Sequence, residues 1–153
     1  GRTSYRVLSM ADKQTYSILA MAGVAPFVAC ALLPLLGISA IEPFGPLDAV
    51  AASYGLAIVA FLTGIHWATQ LYERKDAPFN LLLVSNVVFV PVWLAFVAGS
   101  TGFAIATQLA ALLLLLGVDG WLHGNGVIDA HYYRIRKVAT AVAAVSMAVI
   151  LFT

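Results

Sequence analysis

Ser53–Tyr72 reads SYGLAIVAFLTGIHWATQLY, and this stretch decides the fold. It is apolar over a length that matches the ~20 residues a helix needs to cross a ~30 Å hydrocarbon core. Yet it carries an imidazole, His66, and an amide, Gln70, close to its end. At ~100° per residue its faces differ. Ala57, Ala60, Gly64 and Ala68 form a stripe of small residues, the pattern that lets helix backbones approach closely in lipid. Thr63, His66 and Gln70 form a polar stripe roughly opposite. Both stripes call for protein neighbours, which predicts a helix central to a bundle.

The rest of the chain has the same character. Apolar residues make up 62% of the 153, charged residues 10%, and the mean hydropathy is +0.96. Soluble domains lie nearer ~45–50% apolar and ~25% charged. The apolar residues come in long blocks, which predicts an all-α integral membrane bundle of five spans. The expected spans are 16–38, 49–72, 79–98, 103–122 and 138–152, after a polar tail over 1–15. Met10 is a candidate start, with Gly1–Ser9 then an upstream extension. The first block is too long for a signal h-region and reads as a retained span.

Local signals set the joints. Pro26, Pro34 and Pro91 would bend their helices, which a bundle tolerates when neighbours re-satisfy the freed carbonyls. Asp48 is placed to cap the second span, Pro78 suits the first turn of the third, and Gly124-Asn125-Gly126 stops the fourth. Val127–Lys137 reads as a polar connector. The eight basic residues are Arg2, Arg6, Lys13, Arg74, Lys75, Arg134, Arg136 and Lys137, and all fall on one side of a five-span topology. The positive-inside rule then predicts a cytoplasmic N-terminus and a C-terminus on the opposite face.

Polar groups gather at that basic side. His66, Trp67, Gln70, Asn86, Asp119 and Arg134 are candidates to line a ligand or cofactor pocket there, and Asp119 with Arg134 or Arg136 is a candidate structural ion pair. An ionisable residue inside a span is a functional hypothesis by default, because burying it is expensive. The plainer alternative is that His66 donates to Asn86 or a backbone carbonyl as a packing group, while Asp119 pins the connector. Gln108, Asp119 and His123 share one face of the fourth span. Trp67, Trp121, Tyr72 and Tyr132 fit an interfacial aromatic belt. An axial haem ligand at His66 would need a second imidazole at its depth, and His123 and His131 sit at or beyond the interface.

Catalytic signatures such as HExxH, CxxC, a Walker A loop or GxSxG are missing from the sequence, and no metal site or catalytic residue is expected. A charge of +1, with basic residues clustered beside spans, gives no nucleic-acid recognition stripe.

Tyr54-Gly55 followed by Phe61-Leu62-Thr63-Gly64-Ile65-His66-Trp67 resembles the signature of an uncharacterised family of small multi-pass membrane proteins of proteobacteria, with a mitochondrial branch, catalogued as domain of unknown function 3429. Pro26-Phe27 and Tyr133-Arg134-Ile135-Arg136 resemble its other recurring features, and the likeness runs from about Ser17 onward. The resemblance implies a five-span bundle in a bacterial inner membrane. It carries no activity, cofactor or catalytic residue.

The leading expectation is a non-enzymatic accessory or assembly subunit of a larger inner-membrane complex, such as an energy-transducing one, packed against other subunits or itself. The alternative is a binder of quinone, lipid or haem near His66, and a small transporter comes third.

Overall fold

The computed structural model describes residues 10–73, 80–124, 126, 128 and 130–152, with the side chains of 10–13 and 69–73 outside that description. Five helices account for nearly all of it: α1 (Met10–Leu35), α2 (Leu47–Glu73), α3 (Leu81–Ala98), α4 (Thr101–Gly124) and α5 (Ala130–Phe152). Each is long and apolar enough to cross a membrane. The protein is a multi-pass membrane protein.

Between α1 and α2 a small antiparallel hairpin pairs β1 (Ala40–Ile41) with β2 (Gly45–Pro46). Gly45 takes a φ of 92° at its turn, a left-handed backbone that favours glycine. Asp48 lies in the first turn of α2, where its Oδ1 accepts the Ala49 N–H at 2.8 Å. Asn80 caps α3, its Oδ1 accepting from the backbone of Leu82 at 2.9 Å and Leu83 at 3.4 Å. Ser100 starts α4, its Oγ accepting from Phe103 N at 3.2 Å. These caps satisfy N–H groups that have no partner inside their own helix. The turn between α3 and α4 is therefore shorter than the expected Gly99–Gly102. Pro78 lies outside the described residues.

The helices close a ring in the order α1, α5, α4, α3 and α2, and α2 also packs directly on α4 across it. The core follows from their stripes. On α4, Ala104, Gln108, Ala111, Leu115, Asp119 and Leu122 are buried at steps of three and four. On α2 the buried line runs through Ala52, Val59, Leu62 and His66. On α5 it is Arg136, Thr140, Ala143 and Met147.

Two findings differ from the sequence reading. The segment expected to be a polar connector is helical from Ala130, so Arg136 sits inside a helix and on its buried stripe. The small-residue stripe of α2 faces outward: Ala57, Ala60, Gly64 and Ala68 are all exposed, and a Cβ on Gly64 would meet nothing within 4 Å. Within the bundle, α2 is central through its other face.

Candidate functional site

Three helices each send one polar side chain to the same depth. His66 lies seven residues before the end of α2, Asp119 five before the end of α4, and Arg136 six after the start of α5. At 1.5 Å per residue each is roughly 8–10 Å inside the basic end of the bundle. They meet. His66 Nε2 is 2.9 Å from Asp119 Oδ1, and Arg136 Nε donates to Asp119 Oδ2 at 2.9 Å. Arg136 Nη1 also donates to Thr140 Oγ1 at 3.0 Å, one turn along α5.

The relative exposures are 2% for His66, 1% for Asp119 and 6% for Arg136, so this is a charge pair withdrawn from water. A carboxylate only accepts, so His66 donates through Nε2–H, and its other ring nitrogen is Nδ1. That Nδ1 is buried with no hydrogen-bond partner, and so is Arg136 Nη2. The Tyr132 phenol lies beside the Arg136 guanidinium. Buried polar atoms without partners are uncommon in native proteins and call for an explanation.

One explanation lies next door. An apolar cavity of about 260 Å³ opens between α1, α2 and α5. Leu19, Val24, Phe27, Ile58, Phe61 and Leu62 make much of its wall, and Tyr16, Arg136 and Thr140 bring its polar groups. Leu19 and Phe61 are also exposed on the outer surface, so the opening faces the surrounding lipid. α1 rests on α5 more extensively than on α2, which leaves the α1–α2 seam the looser wall.

A second cluster ties the other half of the bundle. Tyr54 O–H donates to the Gly23 carbonyl at 2.6 Å, three residues before Pro26 of the same helix. The Phe27 ring stands edge-on to Tyr54 at 5.1 Å. Gln108, wholly buried, donates to the Ala52 carbonyl at 2.8 Å, and its amide lies so close over Gly55 that a Cβ there would overlap Oε1. Glycine is needed at that close approach.

A family model described as a protein of unknown function (DUF3429) matches residues 13–152. The chain belongs to that family. No curated protein and no solved structure matches it. The segments that carry the resemblance are those that meet here. Phe27 touches Tyr54, Gly55 receives Gln108, and His66 joins Arg136 through Asp119.

The other expected site residues lie elsewhere. His66 bonds Asp119, not Asn86; Asn86 is exposed and donates to the Leu82 carbonyl of its own helix at 2.9 Å. The buried ion pair takes Arg136, whereas Arg134 is exposed and lies 3.4 Å from His131 Nδ1. Trp67 is exposed on the outer face, and the Gln70 side chain lies outside the described residues. His123 stacks on Tyr133, their ring centroids 5.0 Å apart. The cavity wall contains no imidazole among the described residues, so it offers a haem iron no axial nitrogen. No group of three or more potential metal ligands gathers among the described residues. Sequence reasoning missed Tyr16 and Thr140. The signal for Thr140 was its i+4 spacing from Arg136, legible only once α5 is extended back past Val138.

Proposed function

We propose that this protein binds an elongated lipophilic molecule taken laterally from the bilayer into the cavity between α1, α2 and α5. The observation that carries the reading is the cavity itself: a mostly apolar volume, open toward lipid, with Arg136, Thr140 and Tyr16 in its wall. Ligand sites combine such apolar walls with a few placed polar groups. A volume of about 260 Å³ suits one chain segment or a single ring, and is small for a macrocycle such as haem. A quinone or a lipid fits this description. The setting we infer is a bacterial inner membrane, with the triad in the cytoplasmic half by the positive-inside rule.

The test is native mass spectrometry after gentle extraction. Wild-type protein should carry a stoichiometric lipophile, and Ala139→Phe, which fills the cavity from α5, should lose it while remaining folded. Absence of any bound molecule from the wild type, or retention in the variant, would contradict the reading.

A second reading keeps one specific observation. The outward stripe Ala57, Ala60, Gly64 and Ala68 is suited to close contact with another membrane helix, as an accessory subunit of a larger complex would require. Gly64→Leu should then detach co-purifying subunits without loosening the bundle. Subunits that stay bound would count against it.

A further inference from the structure

Independently of the cavity, we infer that the basic end of α5 carries a binding site for one anionic phospholipid, whose headgroup is held by Arg134 and Lys137 and whose chains lie on the outer face of the same helix. Arg134, Arg136 and Lys137 all fall near the start of α5, and the helix sorts them. Arg136 turns inward to Asp119, whereas Arg134 and Lys137 are exposed. Those two are three residues apart, which makes them neighbours on the helix surface. At 1.5 Å per residue they stand roughly 6 and 10 Å inside the helix start. From that depth a long basic side chain reaches back to the headgroups while its stem stays in apolar surroundings.

The two outward cations lack a counter-ion. Among the described residues the Asp119 carboxylate is engaged by His66 and Arg136, and neither Arg134 nor Lys137 pairs with a carboxylate. Arg134 leans on His131 instead, its Nη2 3.4 Å from Nδ1. Lys137 Nζ stands 4.8 Å over the Tyr133 ring. That ring is itself fixed. It stacks on His123 at 5.0 Å, and its phenol oxygen packs so closely on Gly120 that a Cβ there would lie 2.7 Å away. The ammonium is thus placed by an aromatic face that carries no formal charge to neutralise it. His123 and His131 bring no negative charge in either protonation state.

The surroundings choose the anion. Further along α5 the exposed face is apolar at Val138, Ala141 and Val145, so a headgroup at the cations continues directly into hydrocarbon. An anion with acyl chains satisfies both parts, and a free phosphate satisfies only the first. A zwitterionic headgroup brings its own ammonium, for which the cluster offers no unengaged carboxylate among the described residues. Each basic residue close to an anionic membrane surface is worth about fivefold in affinity, so the pair should give a preference of ~25-fold.

The experiment is a lipid titration of the full-length protein, delipidated in a neutral detergent and followed by native mass spectrometry. The probes are dioleoyl phosphatidylglycerol and dioleoyl phosphatidylethanolamine, which share their chains and differ in net charge. The first phosphatidylglycerol should bind at ~25-fold lower concentration than phosphatidylethanolamine. Arg134→Gln and Lys137→Gln should each reduce that preference about fivefold, and the double variant should abolish it. Arg134→Lys keeps the cation and should keep most of the preference. Ala139→Phe, which fills the cavity, should leave it unchanged, and inorganic phosphate matched to the lipid concentration should displace nothing.

Equal binding of the two lipids would overturn the inference, and so would a preference that survives in the double variant. Displacement by inorganic phosphate would make this a site for a soluble anion instead. Loss of the preferred lipid in Ala139→Phe, with retention in the double variant, would place that lipid in the cavity and overturn the outer site while leaving the cavity reading standing. Both substituted side chains are exposed, and the wild-type comparison needs no variant at all, so the result does not depend on how any variant folds.

Discussion

Asp119→Asn is the sharpest perturbation available in this bundle. The substitution keeps the shape of the side chain but removes the charge that faces both His66 and Arg136 at 2.9 Å. Asp119 is 1% exposed and Arg136 6%, so neither water nor solvent screening can replace the lost carboxylate. Breaking a buried pair by removing one partner costs about 3–5 kcal/mol, because the remaining charge stays buried without a counter-ion. Ordinary hydrogen bonds inside membrane proteins average only ~0.6 kcal/mol in double-mutant cycles. The two magnitudes are far enough apart to decide which description applies. Reversible unfolding in mixed micelles, followed by far-ultraviolet circular dichroism across a titration with sodium dodecyl sulfate, gives the free energies. Asp119→Asn should lose about 3 kcal/mol or more. Asp119→Leu combined with Arg136→Leu should lose much less than the sum of the two singles, since apolar replacements of a buried pair are often neutral. A loss below about 1 kcal/mol in Asp119→Asn, or additivity in the double variant, would refute the claim that this is a charge pair withdrawn from solvent.

Other perturbations read other joints. Gly55→Ala should destabilise by about 1–3 kcal/mol, because its methyl displaces the Gln108 amide from Ala52, and adding Gln108→Ala should recover part of that loss in the same titration. Tyr54→Phe removes the bond to the Gly23 carbonyl beside Pro26 and should cost about 0.5–1.5 kcal/mol. Gly64→Ala adds a methyl that meets nothing within 4 Å, so thermal unfolding should show no loss and up to about 1 kcal/mol of gain from helix propensity. Arg134→Gln, at an exposed position, should stay within about 0.5 kcal/mol of the wild type, in contrast to any change at Arg136.

Much of the fold was legible because each span carries its own signal. Hydrocarbon thickness sets the length of every apolar block, and polar turns separate them, so five helices follow without tertiary information. That Thr63 and His66 share one face of α2, and Gln108 and Asp119 one face of α4, followed from helical periodicity alone, and these four residues are buried. What periodicity cannot give is the partner. His66 and Asp119 lie 53 residues apart, and only the direct packing of α2 on α4 brings them together. The choice between Arg134 and Arg136 as the partner of Asp119 stayed open in the sequence for a different reason. Basic residues ahead of Val138 read as loop by composition, whereas the chain is already helical at Ala130. Two positions along a helix turn a side chain by ~200°. Arg136 therefore falls on the line of Thr140, Ala143 and Met147, and Arg134 points away. The outward stripe of α2 shows the converse limit. Small residues permit close packing, but their spacing does not say against what, and here the neighbours inside the bundle take the opposite face. The cavity was not legible, since an empty volume between three helices leaves no mark on any one of them.

The central claim is that the space between α1, α2 and α5 holds a ligand, and density from an experimental structure in native-lipid nanodiscs addresses it most directly. The account predicts one elongated feature lying along Phe27, Ile58 and Leu62, ending beside Arg136. An α1 helix closed onto α2, with Leu19 and Phe61 filling the space and no room left for a chain, would contradict it.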